Sequence, residues 1–325
     1  MASETAKRQD YTGSPIALST NLDWPRSVPY PTRSCGGLKR GMNTIRPSFT
    51  EWFEGHRAEL DAVVLDVDGI LLVGHRPVPG SAEFLQRLRQ LQFPVCLLTN
   101  DGNHSVAEKR RHLRHCGLDF HEKEITSCSD GLVEVARQRC LTGKLFFVMG
   151  DLGRPNFATR AGLRFTRNVA RLPECAGVIA GEGHYNWETV INAVANFLIR
   201  HPARPLIVPN PDEYYPDKGG RIRIAAGGTA RFIQRVVATF GTAIEPVYLG
   251  KPYRPIFEHN HAGLEQRLGR RIDKRRVVMV GDSTASDVRG SVDFGYRSAL
   301  LLTGITNGHN LKQAPVQPEL VFEGF

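Results

Sequence analysis

The chain has 325 residues, 41% of them hydrophobic and 23% charged, with a formal net charge of +9 and a sequence pI near 9.4. That length and balance suit two soluble globular domains with sizeable cores, and no stretch approaches the roughly 18 consecutive apolar residues of a membrane span. The basic excess favours anionic partners, but the runs Lys109-Arg110-Arg111, Arg270-Arg271 and Lys274-Arg275-Arg276 lie on predicted helices without interleaved aromatics. They read as solvated faces, which argues against nucleic acid as a partner.

Residues 1–47 are rich in Ser, Thr, Pro and Gly, lack periodicity, and read as a mobile extension. Arg26, Arg33 and Arg40 would suit a transit peptide, whereas Glu4, Asp10 and Asp23 count against one. A short helix is expected over 48–56, then an apolar strand, Ala62–Leu65, that runs into Asp66-Val67-Asp68-Gly69. Val78-Pro79-Gly80-Ser81 opens a helix in which Phe84, Leu85, Leu88 and Leu91 recur at helical spacing. A second apolar run, 94–98, ends in Thr99-Asn100-Asp101-Gly102-Asn103, and Ser105 with Glu108 has the spacing of a capping box for the next helix. Strand, helix, strand, helix in this order is a parallel α/β unit, whose right-handed crossover brings both strand ends to one edge.

From 125 to 245 the alternation continues, with strands expected at Leu145–Met149, Gly177–Ala180 and Leu206–Val208 and helices at Trp187–Arg200 and 229–240. The polar segment Asn210-Pro211-Asp212 follows the third of these strands. Such a block is long enough to be a separate domain. It reads as an insertion, because core-like strands resume at 247–249, before Gly250-Lys251-Pro252, and at 277–280, before Gly281-Asp282. A helix over 253–268 lies between them, another follows Asp287, and a last strand is expected at 299–302. The fold class is therefore α/β: a Rossmann-like three-layer parallel-sheet core (48–124 and 246–325) with an inserted α/β cap (125–245). The six cysteines show neither C-x-x-C spacing nor a regular framework, which points to a reducing compartment, no zinc site and a cytoplasmic protein.

Four strand ends carry, in order, Asp66 and Asp68, Thr99 and Asn100, Lys251, and Asp282 with Asp287. Taken singly, each has a structural explanation: a polar turn, a cap residue, a surface lysine, a helix-entry turn. Together they form what phosphoryl transfer requires. A carboxylate attacks phosphorus only when the phosphate's charge is neutralised, so a cation, an ammonium group and neutral donors are expected around it. Two carboxylates two residues apart also suit a hard ion such as Mg2+.

This ordered set resembles the haloacid dehalogenase-like superfamily, through Asp66-Val67-Asp68-Gly69, Thr99, Lys251 and Gly281-Asp282 to Asp287. More narrowly it is similar to the branch with a large α/β cap between the second and third motifs, which holds sugar-phosphate, nucleotide and nitrophenyl phosphatases. The likeness covers about residues 60–305. It implies Asp66 as nucleophile, Asp68 as general acid and then base, and Thr99 and Asn100 as phosphate-binding residues. Lys251 would neutralise the phosphate's charge and orient Asp66. Asp66, the Asp68 main-chain carbonyl and Asp282 would hold Mg2+, and Asp287 would support Lys251 or metal-bound water. An acid at Asp68 favours phosphatase over dehalogenase.

The chain departs from the branch at Asp101, an extra charge near the phosphate site, and in residues 181–187, so the substrate class is not carried over. Specificity is expected from the cap. Asp212, Tyr214 and Tyr215 lie in a polar loop bounded by Gly219-Gly220, with Arg221 or Arg223 as partners for a second anionic group. The alternative is that both tyrosines pack within the cap. The expected partners are a small phosphorylated substrate and a second copy of the chain, as a homodimer through the cap, with neither nucleic acid nor membrane. The competing functional reading is a binding or regulatory protein on the same scaffold that holds a phosphorylated ligand with little turnover.

Overall fold

The computed structural model describes residues 44–217 and 221–325, so the extension 1–43 and the Gly219-Gly220 boundary lie outside the described residues. Two parallel sheets organise these residues. The larger has seven strands in the spatial order Ile45–Ser48, Leu320–Gly324, Arg297–Leu301, Val277–Gly281, Ala62–Leu65, Val95–Thr99 and Ile125–Ser127. Every pairing in it is parallel.

Strand alternation divides its buried side chains between two faces. Val63, Leu65, Val278 and Val280 join Phe49, Phe53, Phe84 and Leu88 on one side. Ala62, Val64, Val277 and Met279 join Ile256, Phe257, Leu264 and Phe294 on the other. Helices Phe49–His56 and Ser81–Gln90 therefore cover one face, and Arg254–Leu268 and Arg289–Phe294 cover the opposite one, which makes three layers.

The second sheet has five parallel strands in the order Val247–Tyr248, Leu206–Val208, Gly177–Ala180, Leu145–Met149 and Arg164–Thr166. Helices Trp187–Arg200 and Ala226–Thr239 pack on one face through Val194, Leu198, Ala230 and Ile233. Leu132, Ala136 and Phe157 cover the other. All described residues fall in one compact unit. Among them no helix is long and apolar enough to cross a membrane.

Four expectations change. Ile125–Ser127 pairs with Val95–Thr99, so residue 125 belongs to the core sheet and the insertion begins after it. Val247–Tyr248 pairs with Leu206–Val208, so the strand before Lys251 is the edge of the cap sheet rather than a core strand. Residues 45–47, assigned to the mobile extension, form with Ser48 an edge strand on Leu320–Gly324, a strand not among those expected. Tyr214–Asp217 and Arg221–Ile224 pair as an antiparallel hairpin where a polar loop was expected.

Candidate active site

Asp66 follows the last residue of Ala62–Leu65, and its N–H donates to the Val280 carbonyl of the neighbouring strand at 2.9 Å. The carboxylate is thus positioned by the sheet. Its Oδ1 accepts from the Val67 N–H at 2.8 Å and lies 2.7 Å from Lys251 Nζ. Lys251 is buried to 1% exposure, and the same Nζ stands 2.7 Å from Asp287 Oδ1. Asp287 Oδ2 accepts from the Ser283 N–H at 3.1 Å. Burial alone would strip the ammonium of its proton, but the flanking carboxylates of Asp287 and Asp66 outweigh it and hold Lys251 charged.

Asp282 is the third acid, at the end of Val277–Gly281. Its Oδ2 accepts from the Ile305 N–H at 2.7 Å. Room for it comes from glycine: a Cβ at Gly69, where φ is 81°, or at Gly304 would collide with the Asp282 carboxylate. Asp66, Asp282 and Asp287 each place a carboxylate oxygen within 4.8 Å of the others. Burial, reinforced by Asp287, pushes the Asp282 carboxyl up to about 7, and burial likewise raises Asp66 well above the usual range against the pull of Lys251. Three buried carboxylates around one ammonium leave excess negative charge among hard oxygen donors. That donor set fits a small divalent cation.

Asp68 keeps solvent access at its surface, yet the protein packed around it pushes its carboxyl up to about 6, with Asp101 and Asp212 adding to the effect and Lys251 and Lys109 opposing it. A carboxyl near 6 can exist in either protonation state at neutral pH, as a group that first gives and then takes a proton must. Thr99 is buried, and its Oγ1 accepts from the Asp101 N–H at 3.1 Å.

Asn100 does something other than expected. Its Oδ1 accepts from the Lys251 N–H at 2.8 Å, while Nδ2 donates to the Lys251 carbonyl at 2.9 Å and to Asp212 Oδ2 at 3.1 Å. With both amide hydrogens committed, the side chain is a clamp on the lysine's backbone, which leaves the Asn100 main-chain N–H as its donor for a phosphoryl oxygen.

Asp101, the anomalous charge, is compensated. Its Oδ1 accepts from the N–H groups of Asn103 and His104 at 2.8 and 3.2 Å, and Oδ2 lies 3.0 Å from His104 Nδ1 and 3.7 Å from Lys109 Nζ. Burial works to raise its pKa, but Lys109 and His104 hold the carboxyl down to about 2. Lys109 therefore does not belong to a solvated helix face. It is buried, and donates to the His104 carbonyl and, at 3.1 Å, to Ser127 Oγ. Its position one residue after the capping box of Ser105 and Glu108 brings it back over the His104 carbonyl that precedes the helix.

Of the three cap residues, Asp212 reaches the site through Asn100, and burial pushes its carboxyl up to about 6. Tyr214 and Tyr215 lie on the hairpin instead, Tyr214 with 44% exposure. Sequence reasoning missed Asn103, Glu182 and Asn210, which join the two sheets' loops. Glu182 Oε2 accepts from Asn103 Nδ2 and Oε1 from Asn210 Nδ2, both at 2.6 Å.

A family model described as haloacid dehalogenase-like hydrolase matches residues 63–164, and a second, HAD-hydrolase-like, matches 248–325. The chain is 28% identical over 254 residues to the dihydroxyacetone phosphatase of Corynebacterium glutamicum, covering 78% of this chain and 85% of that protein. It is 24% identical over 261 residues to the ribonucleotide monophosphatase NagD of Escherichia coli, covering 80% and 94%. A solved structure of a possible sugar phosphatase from Cytophaga hutchinsonii superposes with a TM-score of 0.73 at 23% identity, over 87% of this chain and 98% of that one.

Proposed function

Since the chain belongs to the haloacid dehalogenase-like hydrolases, we propose that it is a Mg2+-dependent phosphatase acting on a small phosphate monoester, a sugar phosphate, nucleotide or similar. The observation that carries this reading is the buried Lys251 held between Asp66 and Asp287, beside Asp282. The relatives named dihydroxyacetone phosphatase and ribonucleotide monophosphatase support a small ester as the substrate class.

In this mechanism Asp66 Oδ1 attacks phosphorus while Asp68, protonated, gives its proton to the departing alkoxide oxygen, so one P–O bond forms as another breaks. The product alcohol leaves an aspartyl phosphate on Asp66. Asp68, now ionised, takes a proton from water, whose oxygen attacks phosphorus and restores the Asp66 carboxylate. Lys251 and the Thr99 hydroxyl neutralise and orient the phosphoryl oxygens, and Asp287 keeps Lys251 aimed at Asp66. Asp66, the Asp68 main-chain carbonyl and Asp282 would hold the cation, which when bound supplies further charge neutralisation at the phosphoryl group.

The test is release of inorganic phosphate from a panel of phosphate monoesters by the purified protein with Mg2+. Release that is abolished by chelation, and that in Asp282→Asn returns only at raised Mg2+, is the expected result. Phosphate binding without release from any ester would favour the binding-protein reading.

A further inference from the structure

Glu182 is a carboxylate buried to 7% exposure, placed between the core and the cap and used by none of the steps above. Its backbone is locked, because the Glu182 carbonyl accepts from the Asp151 N–H at 2.6 Å and a Cβ on Gly150 would collide with it. Three donors converge on the side chain: Asn103 Nδ2 from the loop after Val95–Thr99, Asn210 Nδ2 from the cap, and the Ala226 N–H, at 3.3 Å, from the first turn of Ala226–Thr239. From Asn210 the path continues inward. Its Oδ1 accepts from the Asp212 N–H at 2.9 Å, Asp212 Oδ2 accepts from Asn100 Nδ2, and Asn100 Oδ1 accepts from the Lys251 N–H.

The loop that carries this path is wedged in place. A Cβ on Gly227 would collide with the Pro211 carbonyl, one on Gly228 with the Glu213 carbonyl, and one on Gly250 with Asn100 Oδ1. On the core side, Asn103 Oδ1 is buried without a hydrogen-bond partner, so the Glu182 carboxylate is what orients that amide.

We propose that Glu182 is a positioning residue: by holding Asn103 of the core and Asn210 of the cap together, it seats the 210–212 loop so that Asp212 meets Asn100, the side chain that grips the Lys251 backbone. It acts through those neighbours and sets how well an ester's leaving group is received, while the phosphoryl group is gripped by the core. This rests on the phosphatase reading for its kinetic consequence, but not for the seating itself.

Glutamine at 182 can keep the arrangement. Its Oε1 accepts from Asn210, and its Nε2 can donate to the unpartnered Asn103 oxygen once that amide turns over. With 4-nitrophenyl phosphate as probe, Glu182→Ala should raise KM about tenfold with kcat within about twofold, and Glu182→Gln should restore KM to within about threefold of the parent. Inhibition by inorganic phosphate, which needs only the core, should change by less than about twofold in both variants. Asn103→Ala should reproduce part of the KM rise.

An unchanged KM in Glu182→Ala overturns the proposal, as does a parallel rise in KM and in the phosphate inhibition constant that glutamine fails to reverse. Amide hydrogen exchange over residues 207–217 and 221–227 gives a readout that needs no catalysis. Faster exchange there in Glu182→Ala than in Glu182→Gln supports the seating even if no ester is hydrolysed, and equal exchange in parent and Ala variant refutes it.

Discussion

The two sides of the site are built differently. On the core side, Asp66, Thr99 and Asp282 stand at the ends of three strands that are immediate neighbours in one parallel sheet, so main-chain pairing fixes their spacing. On the cap side, Asp212 is placed by a relay of amide and carboxylate side chains running from Glu182 to Asn100. The first arrangement can change only if the sheet changes. The second can be altered by one side chain, which suits a region that must choose among leaving groups while the core handles the phosphoryl group they share.

If that contrast holds, the largest effect belongs to the nucleophile and should leave the fold intact. Asp66→Asn keeps the size of the side chain and removes its charge, and Lys251 retains Asp287 at 2.7 Å as a partner. Turnover of any accepted ester should fall by about a thousandfold or more, with the thermal midpoint little changed because one of three crowded carboxylates has been neutralised. Turnover near that of the parent would assign the chemistry elsewhere, and a collapsed fold would mean that the sheet does not fix this edge independently.

The same contrast explains what was legible in the sequence. Asp66, Thr99, Lys251 and Asp282 each lie at the end of a short apolar run, so they stood out as an ordered set, although the run before Lys251 belongs to the cap sheet, and the alternation of strands and helices carried the parallel α/β core. The misplacements lie where pattern and pairing part. Ile125–Ser127 and Val247–Tyr248 are three and two residues long, too short for periodicity to say which sheet each joins, and only hydrogen-bond partners decide it. Glu182, Asn103 and Asn210 were opaque for a different reason. Their meaning lies in contacts across separations of 79 and 28 residues, for which no local spacing gives a sign. The role of the Asn100 side chain was opaque for the same reason, since its partners come from residues 212 and 251.

A smaller effect should expose the polarity of the cap side. Burial raises the Asp212 carboxyl to about 6 despite the Asn100 hydrogen bond and Lys251, so the folded state binds this proton more tightly than the unfolded chain does. Its stabilising contribution is therefore full below the ordinary carboxylate range and is lost as pH rises through about 6. Asp212→Asn removes that dependence and leaves an amide oxygen to accept from Asn100. Relative to the parent, the variant should gain stability between about pH 4 and 7, reaching roughly 1 kcal/mol after solvent screening, with no gain at pH 4. Asp282 titrates alike in both proteins and cancels in the difference between their melting curves, whereas Asp68, which the Asp212 charge helps to push up, adds to the gain in the same direction. A difference that stays flat with pH would show that Asp212 is not held in the environment described.

The smallest effects are expected at the tyrosines, and they test whether specificity extends past Asp212 onto the hairpin. Tyr214 is 44% exposed on Tyr214–Asp217, so part of its ring is open to a ligand. Stacking of a ring against an aromatic or sugar leaving group contributes about 1 kcal/mol, so Tyr214→Ala and Tyr215→Ala should each change kcat/KM by about three- to tenfold for bulky esters and by less than about twofold for the smallest. The comparison that matters is the ratio of rates across the panel, since a general loss of active protein would lower all rates together. If the ratios stay fixed in both variants, the choice of leaving group must be made elsewhere in the cap. The segment from Glu182 to Trp187 is then the next place to cut, because Tyr185 and Trp187 stack there with ring centroids 6.2 Å apart and planes 7° from parallel, and Trp187 is 42% exposed.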